Sequence, residues 1–135
     1  MLLTSGNVND TQLLEPLLAL IRVARPGRGR PRSRPREVLA DKGYSSKANR
    51  AYLRRRGIIA VIAERDDQKD NRRRRGRLGG RPYAFDAAAY RGRNVVERCF
   101  ARLKQWRGIA TRFEKRAANF RAMVVIAALM IWIGP

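Results

Sequence analysis

The amino-acid sequence predicts an α/β fold, and three consecutive segments in its first half support that prediction. Residues 37–40 (EVLA) form a short, mostly apolar run that ends abruptly in DKGY, as a strand does before a turn. Residues 46–56 begin with a serine and are followed by Gly57, which are typical helix boundaries. Residues 58–63 (IIAVIA) are apolar without alternation, which is typical of a strand buried on both faces. A strand, a helix and a strand in this order predict a parallel pair with a crossover helix.

Further helices are predicted on both sides of this unit. Residues 10–22 place leucine and isoleucine side chains at helical spacing, although Pro16 falls within the first turns. Two long helices are predicted at 86–106 and 114–133. The second contains 123–133, an apolar run of eleven residues, whereas a membrane-spanning helix needs about 20. We therefore expect a helix buried against a sheet or a partner, with an interfacial membrane helix as the alternative, and no membrane partner.

The charge of the chain indicates a polyanionic partner. There are 31 lysines and arginines against 11 acidic residues, which gives a net charge of +20, with no histidine and one cysteine. This composition excludes histidine-based catalysis, histidine-ligated zinc and an internal disulfide framework. Nucleic acid is the usual partner of so basic a chain.

The basic residues are concentrated in two segments, 25–36 and 65–82, which we predict to be basic loops. The first is either a solvated linker or a phosphate contact. The second either grips the DNA backbone or is an unstructured charged loop. Its candidate DNA-binding residues are Arg72, Arg73, Arg74 and Arg75.

Four residues of the predicted helix 86–106 are spaced to lie along one stripe of its surface: Tyr90, Arg93, Glu97 and Lys104. Their offsets of 0, 3, 7 and 14 fall within a narrow arc at about 100° per residue. The stripe would present an aromatic hydroxyl, a guanidinium, a carboxylate and an ammonium group. The alternative is an ordinary ion pair between Arg93 and Glu97 on a solvated helix face.

A second candidate carboxylate, Asp41, directly follows the first predicted strand. The carboxyl ends of parallel strands border the crevice in which α/β proteins place their sites. The alternative is that Asp41 only shapes the turn before Gly43. Together, Asp41 and Glu97 are two carboxylates of the kind that hold Mg²⁺ for phosphodiester chemistry, because Mg²⁺ prefers oxygen ligands and needs neither histidine nor cysteine.

The spacing Y-x2-R-x3-E-x6-K, present here as YRGRNVVERCFARLK, resembles the signature of DDE transposases from bacterial insertion sequences. The flanking segments LADKGYSSKANRAYLRRRGI and KQWRGIATRFEKRAANFRAMVVIAALMIWI are similar to the carboxyl-terminal half of that family. The resemblance covers nearly the whole chain apart from the two basic loops. Residues 1–135 are therefore identified as the carboxyl-terminal portion of a transposase catalytic domain.

The resemblance implies a partial ribonuclease-H-like fold whose amino-terminal strands are missing. In that family three acidic residues bind two divalent metal ions; the second aspartate corresponds to Asp41 and the glutamate to Glu97. The positions implicated in holding transposon-end DNA correspond to Tyr90, Arg93 and Lys104. The first aspartate would lie before Met1, and Asp10 is no substitute because it belongs to a predicted helix.

The function implied for the complete protein is Mg²⁺-dependent cleavage at transposon ends and strand transfer into target DNA. Because the first aspartate is absent, we expect this chain alone to be inactive, whether as a truncated copy, a product with a misassigned start or a second reading frame. The alternative is a non-catalytic DNA-binding fragment that interferes with transposition. A ribosomal-type RNA binder is supported by charge alone. The expected partners are DNA and an upstream transposase segment or a second copy, in the bacterial cytoplasm near the nucleoid.

Overall fold

A computed structural model describes residues 2–4 and 8–134, and the chain divides into two compact units. The amino-terminal unit spans Gly6–Gly92. The carboxyl-terminal unit spans Arg93–Pro135 and includes Met1–Ser5. The candidate site residues are divided between these two units.

The predicted parallel strand pair is present in the amino-terminal unit. Strand β1 (Glu37–Ala40) pairs in parallel with β2 (Ile59–Ile62), and Glu37 lies opposite Ile59. The crossover helix between them begins after Ser46, whose hydroxyl accepts a hydrogen bond from the Asn49 amide at 3.1 Å. It ends before Gly57, which has a positive φ of 62° that glycine adopts without strain. The α/β prediction is confirmed.

The first and the second α-helix of the amino-terminal unit form its core with the strand pair. The α-helices are α1 (Leu14–Ala19), α2 (Lys47–Arg55), α3 (Asp66–Arg74) and α4 (Ala87–Arg91). The core side chains are Leu14, Leu18, Tyr52, Leu53, Ile58 and Ile62. The first helix is shorter than predicted and is preceded by a 3₁₀ turn, Asp10–Leu13. Pro16 fits because it lies in the first turn of α1, where its missing N–H leaves no hydrogen bond unmade.

The prediction of a loop over 65–82 is wrong in its first half. Helix α3 occupies Asp66–Arg74, and a 3₁₀ turn follows at Gly76–Gly79. Aspartates in the first turn and arginines in the last turn favour this helix, because each charge opposes the partial charge of its helix end. Residues 25–36, by contrast, contain no helix or longer strand, only a bridge between Val23 and Arg32.

The single helix predicted at 86–106 is interrupted at Gly92 and Arg93. Helix α4 ends at Arg91, α5 spans Asn94–Lys104 and α6 spans Arg107–Ala110. Glycine has a high conformational entropy cost inside a helix, which favours an interruption at Gly92. The break also coincides with the boundary between the two units.

The apolar run near the carboxyl end lies in helix α7 (Ala117–Ile133), which packs on α5 and α6. Only Ala127 of this helix is buried. The exposed apolar side chains are Val125, Ile126, Leu129, Met130, Trp132 and Ile133. The expectation of burial within this chain is therefore wrong, and burial against a partner stays a prediction. Among the residues that the structure describes, no helix is long and apolar enough to cross a membrane.

Candidate functional site

Asp41 directly follows β1 and shapes the turn that comes next. Its Oδ1 accepts a hydrogen bond from the Gly43 amide at 2.9 Å, at the start of the 3₁₀ turn Lys42–Tyr44. Asp41 thus shapes the turn, but this bond uses only one oxygen of an exposed carboxylate, and metal binding by Asp41 stays a prediction. Burial raises the pKa of the Tyr44 hydroxyl, and the negative charges of Asp10 and Asp41 raise it further. The phenol at this turn is therefore neutral at physiological pH.

The turn that carries Asp41 is tied to two neighbouring segments by side-chain hydrogen bonds. The Thr11 hydroxyl donates to the Gly43 carbonyl at 2.9 Å. Nδ2 of Asn49 donates to the carbonyls of Thr11 at 3.0 Å and Tyr44 at 3.2 Å. Because these bonds come from separate segments, they fix the backbone position of the turn.

A buried arginine on α2 lies under the carboxyl end of β2. Arg50 is 7% exposed, and its Nη2 donates to Ser45 Oγ at 3.0 Å and to the Ile62 carbonyl at 2.9 Å. Its guanidinium carbon lies 4.1 Å from the centroid of the Tyr83 ring. Burial lowers the pKa of Arg50, and the neighbouring Glu64 charge opposes that shift. Arg50 therefore links the turn, the sheet and the segment after α3.

Helix α3 is attached to the same region by two polar pairs. Ser45 Oγ donates to Gln68 Oε1 at 2.9 Å, and Gln68 Nε2 donates back to the Ser45 carbonyl at 2.6 Å. Arg72 forms a two-pronged ion pair with Glu64, just after β2. The hydrogen bond from Arg72 holds the pKa of Glu64 below its usual value. These pairs explain why a highly charged segment is ordered.

The predicted DNA-binding run 72–75 contains two kinds of residue. The Arg72 side chain is 17% exposed because it is engaged with Glu64. The following three arginines are exposed at the end of α3: Arg73, Arg74 and Arg75. DNA contact by this run stays a prediction, and the three exposed residues are the ones able to make it.

Glu97 lies on α5 in the carboxyl-terminal unit and forms an ion pair with Arg93. Arg93 Nη2 lies 2.7 Å from Glu97 Oε1, and the Glu97 side chain is 54% exposed. The ion pair between Arg93 and Glu97 is thus present, and the Glu97 side chain is partly exposed. A metal-binding role for Glu97 stays a prediction.

The single stripe predicted for one long helix is wrong, because its members occupy different helices. Tyr90 lies on α4 in the amino-terminal unit, where its ring centroid is 5.1 Å from that of Phe85. Arg93 is the residue before α5. Glu97 and Lys104 share α5 and lie seven residues apart, which places them on one helix face. Their roles in holding DNA stay predictions.

The donor chemistry of the two candidate carboxylates fits a hard divalent cation, which prefers oxygen ligands. Asp41 belongs to the amino-terminal unit and Glu97 to the carboxyl-terminal unit. Within residues 2–4 and 8–134, no three His, Cys, Asp or Glu side chains are grouped closely enough to hold a metal ion. Joint metal binding by Asp41 and Glu97 stays a prediction.

Comparison with known proteins places these residues in a family. A model described as "Transposase DDE domain" matches residues 1–133. The chain is also 40% identical over 130 residues to a curated Burkholderia cepacia protein named "Putative transposase for insertion sequence element IS402". This chain belongs to the DDE transposase family. The alignment covers 96% of the chain but 54% of that relative, so the chain spans about half of the relative's length. No solved structure matches the chain significantly.

Sequence reasoning on this DDE transposase chain did not identify the residues that order the segments next to the Asp41 turn. Arg50, Glu64 and Gln68 belong to no recognisable motif, and charged or amide side chains are usually solvated, so the pattern did not predict their bonds. One signal was present for Glu64, since it follows a buried strand on the same sheet edge as Asp41. The carboxyl ends of both parallel strands thus lie beside an ordered polar network.

Proposed function

We propose that this chain acts in DNA transposition, as the part of a DDE transposase that supplies Asp41 and Glu97 as ligands of a divalent metal, with Mg²⁺ the expected ion. The family match over 1–133 is the observation that carries the proposal. It is supported by the placement of Asp41 at the carboxyl end of a parallel strand, the edge at which α/β proteins form sites. DNA is the proposed partner.

Some residues of this chain would bind the metal and others would bind DNA. Asp41 and Glu97 would hold the metal, which when bound activates a nucleophile and stabilises a leaving oxygen at a phosphodiester. Arg93, which forms an ion pair with Glu97 Oε1, would help to orient the Glu97 carboxylate. Lys104, two helical turns further along α5, is placed to contact a phosphate.

A groove of about 280 Å³ beside α3 offers further phosphate contacts in the amino-terminal unit. Lys47 and Arg75 contribute positive charge to its lining, and Tyr83 contributes an aromatic ring. Guanidinium and ammonium groups pair with phosphate oxygens, and an aromatic face can stack on a base. This groove therefore supports DNA as the ligand of the unit that carries Asp41.

Metal binding is testable on the pure 135-residue chain by paramagnetic broadening with Mn²⁺. Substoichiometric Mn²⁺ is expected to broaden the amide signals around Asp41 and Glu97 selectively. Asp41→Asn and Glu97→Gln should each abolish the local effect, whereas Asp70→Asn, an exposed aspartate on α3, serves as the control. Broadening that is identical in all three variants would refute the metal assignment.

DNA binding and cleavage are measured separately on the same protein. We expect affinity for a duplex to fall about 10³-fold or more between 50 and 200 mM salt, because several phosphates are neutralised. We expect no nicking with Mg²⁺ or Mn²⁺ by the chain alone. Nicking that disappears in Glu97→Gln would overturn the expected inactivity, and an affinity independent of salt would overturn the proposed DNA partner.

A further inference from the structure

A second basic groove lies at the opposite edge of the sheet from Asp41. It has a volume of about 560 Å³ and is formed by the segment 25–36 together with Gly57 and Ile59. Five arginines line it: Arg25, Arg30, Arg32, Arg34 and Arg36. Arg36 directly precedes β1 and Gly57 shortly precedes β2, so this arginine groove borders the amino ends of both strands. Four strand residues, about 13 Å, separate this edge from the carboxyl edge where Asp41 lies.

The segment that forms the arginine groove is held in place rather than left as a free linker. Val23 and Arg32 exchange two backbone hydrogen bonds of 2.9 and 2.8 Å. Arg34 Nη1 donates to the Arg56 carbonyl at 3.0 Å, and Arg56 Nη2 donates to the Ser33 carbonyl at 3.1 Å. These bonds attach the segment to the end of α2.

Gly57 permits this attachment through both its conformation and its lack of a side chain. Its φ of 62° suits glycine, and a Cβ at this position would lie 3.0 Å from Arg34 Nη1. The guanidinium of Arg34 can therefore approach the backbone at the end of α2. The groove is therefore an ordered part of the fold, and Arg34, one of its arginines, helps to hold its segment in place.

The other arginines of the groove present unneutralised charge to solvent. Arg25, Arg30, Arg32 and Arg36 are exposed, and no ion pair within the described part of the chain involves them. The segment 25–36 contains no acidic residue. Its positive potential is therefore compensated only by ions from solution or by a bound polyanion.

The spacing of these arginines fits a chain of phosphates better than a single small anion. Between positions 30 and 36 an arginine occurs at every second residue. Pro31 and Pro35 restrict the residues before them to extended backbone, and two extended residues span about 6.6 Å. Cations about 6.6 Å apart can contact every second phosphate of one DNA strand, because the phosphates rise about 3.4 Å each along the axis.

We propose that the arginine groove is a second binding site for the phosphate backbone of DNA, separate from the DNA contacts at the carboxyl edge of the sheet. This inference rests on the proposed role in DNA transposition. It predicts that one protein molecule contacts two DNA segments, one at each edge of the strand pair. Recognition is by charge and therefore independent of base sequence.

The test compares two triple variants of the full chain that remove the same charge. The groove triple is Arg30→Gln, Arg32→Gln and Arg36→Gln, which leaves Arg34 and its structural bond intact. The control triple is Arg107→Gln, Arg116→Gln and Arg121→Gln, three exposed arginines of the carboxyl-terminal unit. Circular dichroism checks that both variants remain folded.

Two readouts are made with random-sequence duplexes. The slope of log affinity against log salt should become shallower by up to about 2.7 in the groove triple, since each lost phosphate contact removes about 0.9. In a bridging assay, protein bound to an immobilised duplex should capture a second, labelled duplex. The groove triple should lose this capture while still binding the first duplex, and the control triple should retain it.

The outcomes separate this inference from the proposed function. If both triples change slope and capture equally, the groove is not a site and only net charge matters, although DNA binding itself stands. If the unaltered chain binds no duplex, the proposed function and this inference both fail. If the groove triple loses binding only to vesicles of phosphatidylglycerol, the ligand is a lipid headgroup and the inference is overturned.

Discussion

Replacing Arg50 by alanine is expected to destabilise the amino-terminal unit more than any substitution of an exposed arginine on the same helix. The change removes the hydrogen bonds to the Ser45 hydroxyl and the Ile62 carbonyl. It also removes the guanidinium from the face of the Tyr83 ring. The three contacts join the turn after β1, the end of β2 and the segment after α3, so that losing them loosens the edge that carries Asp41.

The expected magnitude follows from these contacts and from the burial of the guanidinium. Each hydrogen bond from a charged donor contributes about 1.5–3 kcal/mol, and a desolvated cation–π contact contributes up to about 2 kcal/mol. The desolvation of Arg50, which lowers its pKa, offsets part of this gain. We therefore expect Arg50→Ala to lower the free energy of unfolding by about 2–4 kcal/mol.

The assay uses the distribution of aromatic residues between the two units. All four tyrosines lie within 8–92 and both tryptophans lie within 93–134, so the tyrosine signal reports on the unit that contains Arg50. Urea titrations followed by tyrosine near-ultraviolet circular dichroism give the midpoint and slope for that unit. Tryptophan fluorescence, followed in the same samples, reports the other unit.

Two variants sharpen the comparison. Arg54→Ala, on the same helix but exposed, is the matched control and should change stability by less than about 0.5 kcal/mol. Arg50→Lys keeps the charge but cannot reproduce the forked geometry of the guanidinium, so it should recover only part of the loss. Equal midpoints for Arg50→Ala and Arg54→Ala would refute the role assigned to the buried arginine.

Three further predictions concern the same unit. The pKa of the Glu64 carboxyl is lowered in the folded state, so its ion pair stabilises the unit above about pH 4.5, the ordinary pKa, and this stability is lost as the pH falls through the lowered value. In Glu64→Gln the unfolding midpoint measured by tyrosine circular dichroism should therefore fall less steeply with acid. An unchanged steepness would contradict this. Gly57→Ala should cost about 1–2 kcal/mol in the urea assay through its positive φ and the approach of Arg34. Gly76→Ala, with a similar φ of 52° and no atom within 4 Å of the added Cβ, is the control for the backbone cost, and an equal loss in both variants would argue against a contribution from the Arg34 contact. Asp86→Ala removes the acceptor of two amide hydrogen bonds at 2.9 Å that cap α4. It should lower the free energy of unfolding by about 1 kcal/mol and speed hydrogen exchange of the amides in 87–91. Unchanged exchange would argue against the cap.

The sequence was sufficient for the parallel strand pair and the helix between them. The signals there are local: two short apolar runs, a serine cap and a glycine stop, each of which acts within a few residues. The same is true of Asp41, because a carboxylate directly after a parallel strand lies at the carboxyl edge of the sheet wherever the rest of the chain goes. The signature from Tyr90 to Lys104 was sufficient for the family, which the match over 1–133 confirms.

The sequence was not sufficient where order depends on partners far along the chain. Residues 65–82 have the composition of a loop, yet α3 is stabilised by a bond between Gln68 and Ser45, which are 23 residues apart. The helix predicted through Gly92 is interrupted there. The prediction missed this interruption because a helical spacing of apolar residues does not include the free-energy cost of one glycine at a boundary between two units. The apolar run in α7 predicted a buried helix, but the sequence pattern does not identify the surface against which this helix is buried.

Composition and local pattern were therefore sufficient for the net charge of the chain, its candidate site residues and its family. The charge of +20 and the spacing of Asp41, Glu97 and their neighbours can be read from the printed sequence. Only the tertiary structure decided which arginines are structural. Arg50 and Arg34 look the same in sequence as their exposed neighbours, and they differ because folding brings carbonyl oxygens within 3.0 Å of their guanidinium groups. A guanidinium that donates to backbone carbonyls in this way keeps its charge but is held in one position and has fewer donors left for a ligand, whereas the arginines without such bonds keep all of theirs.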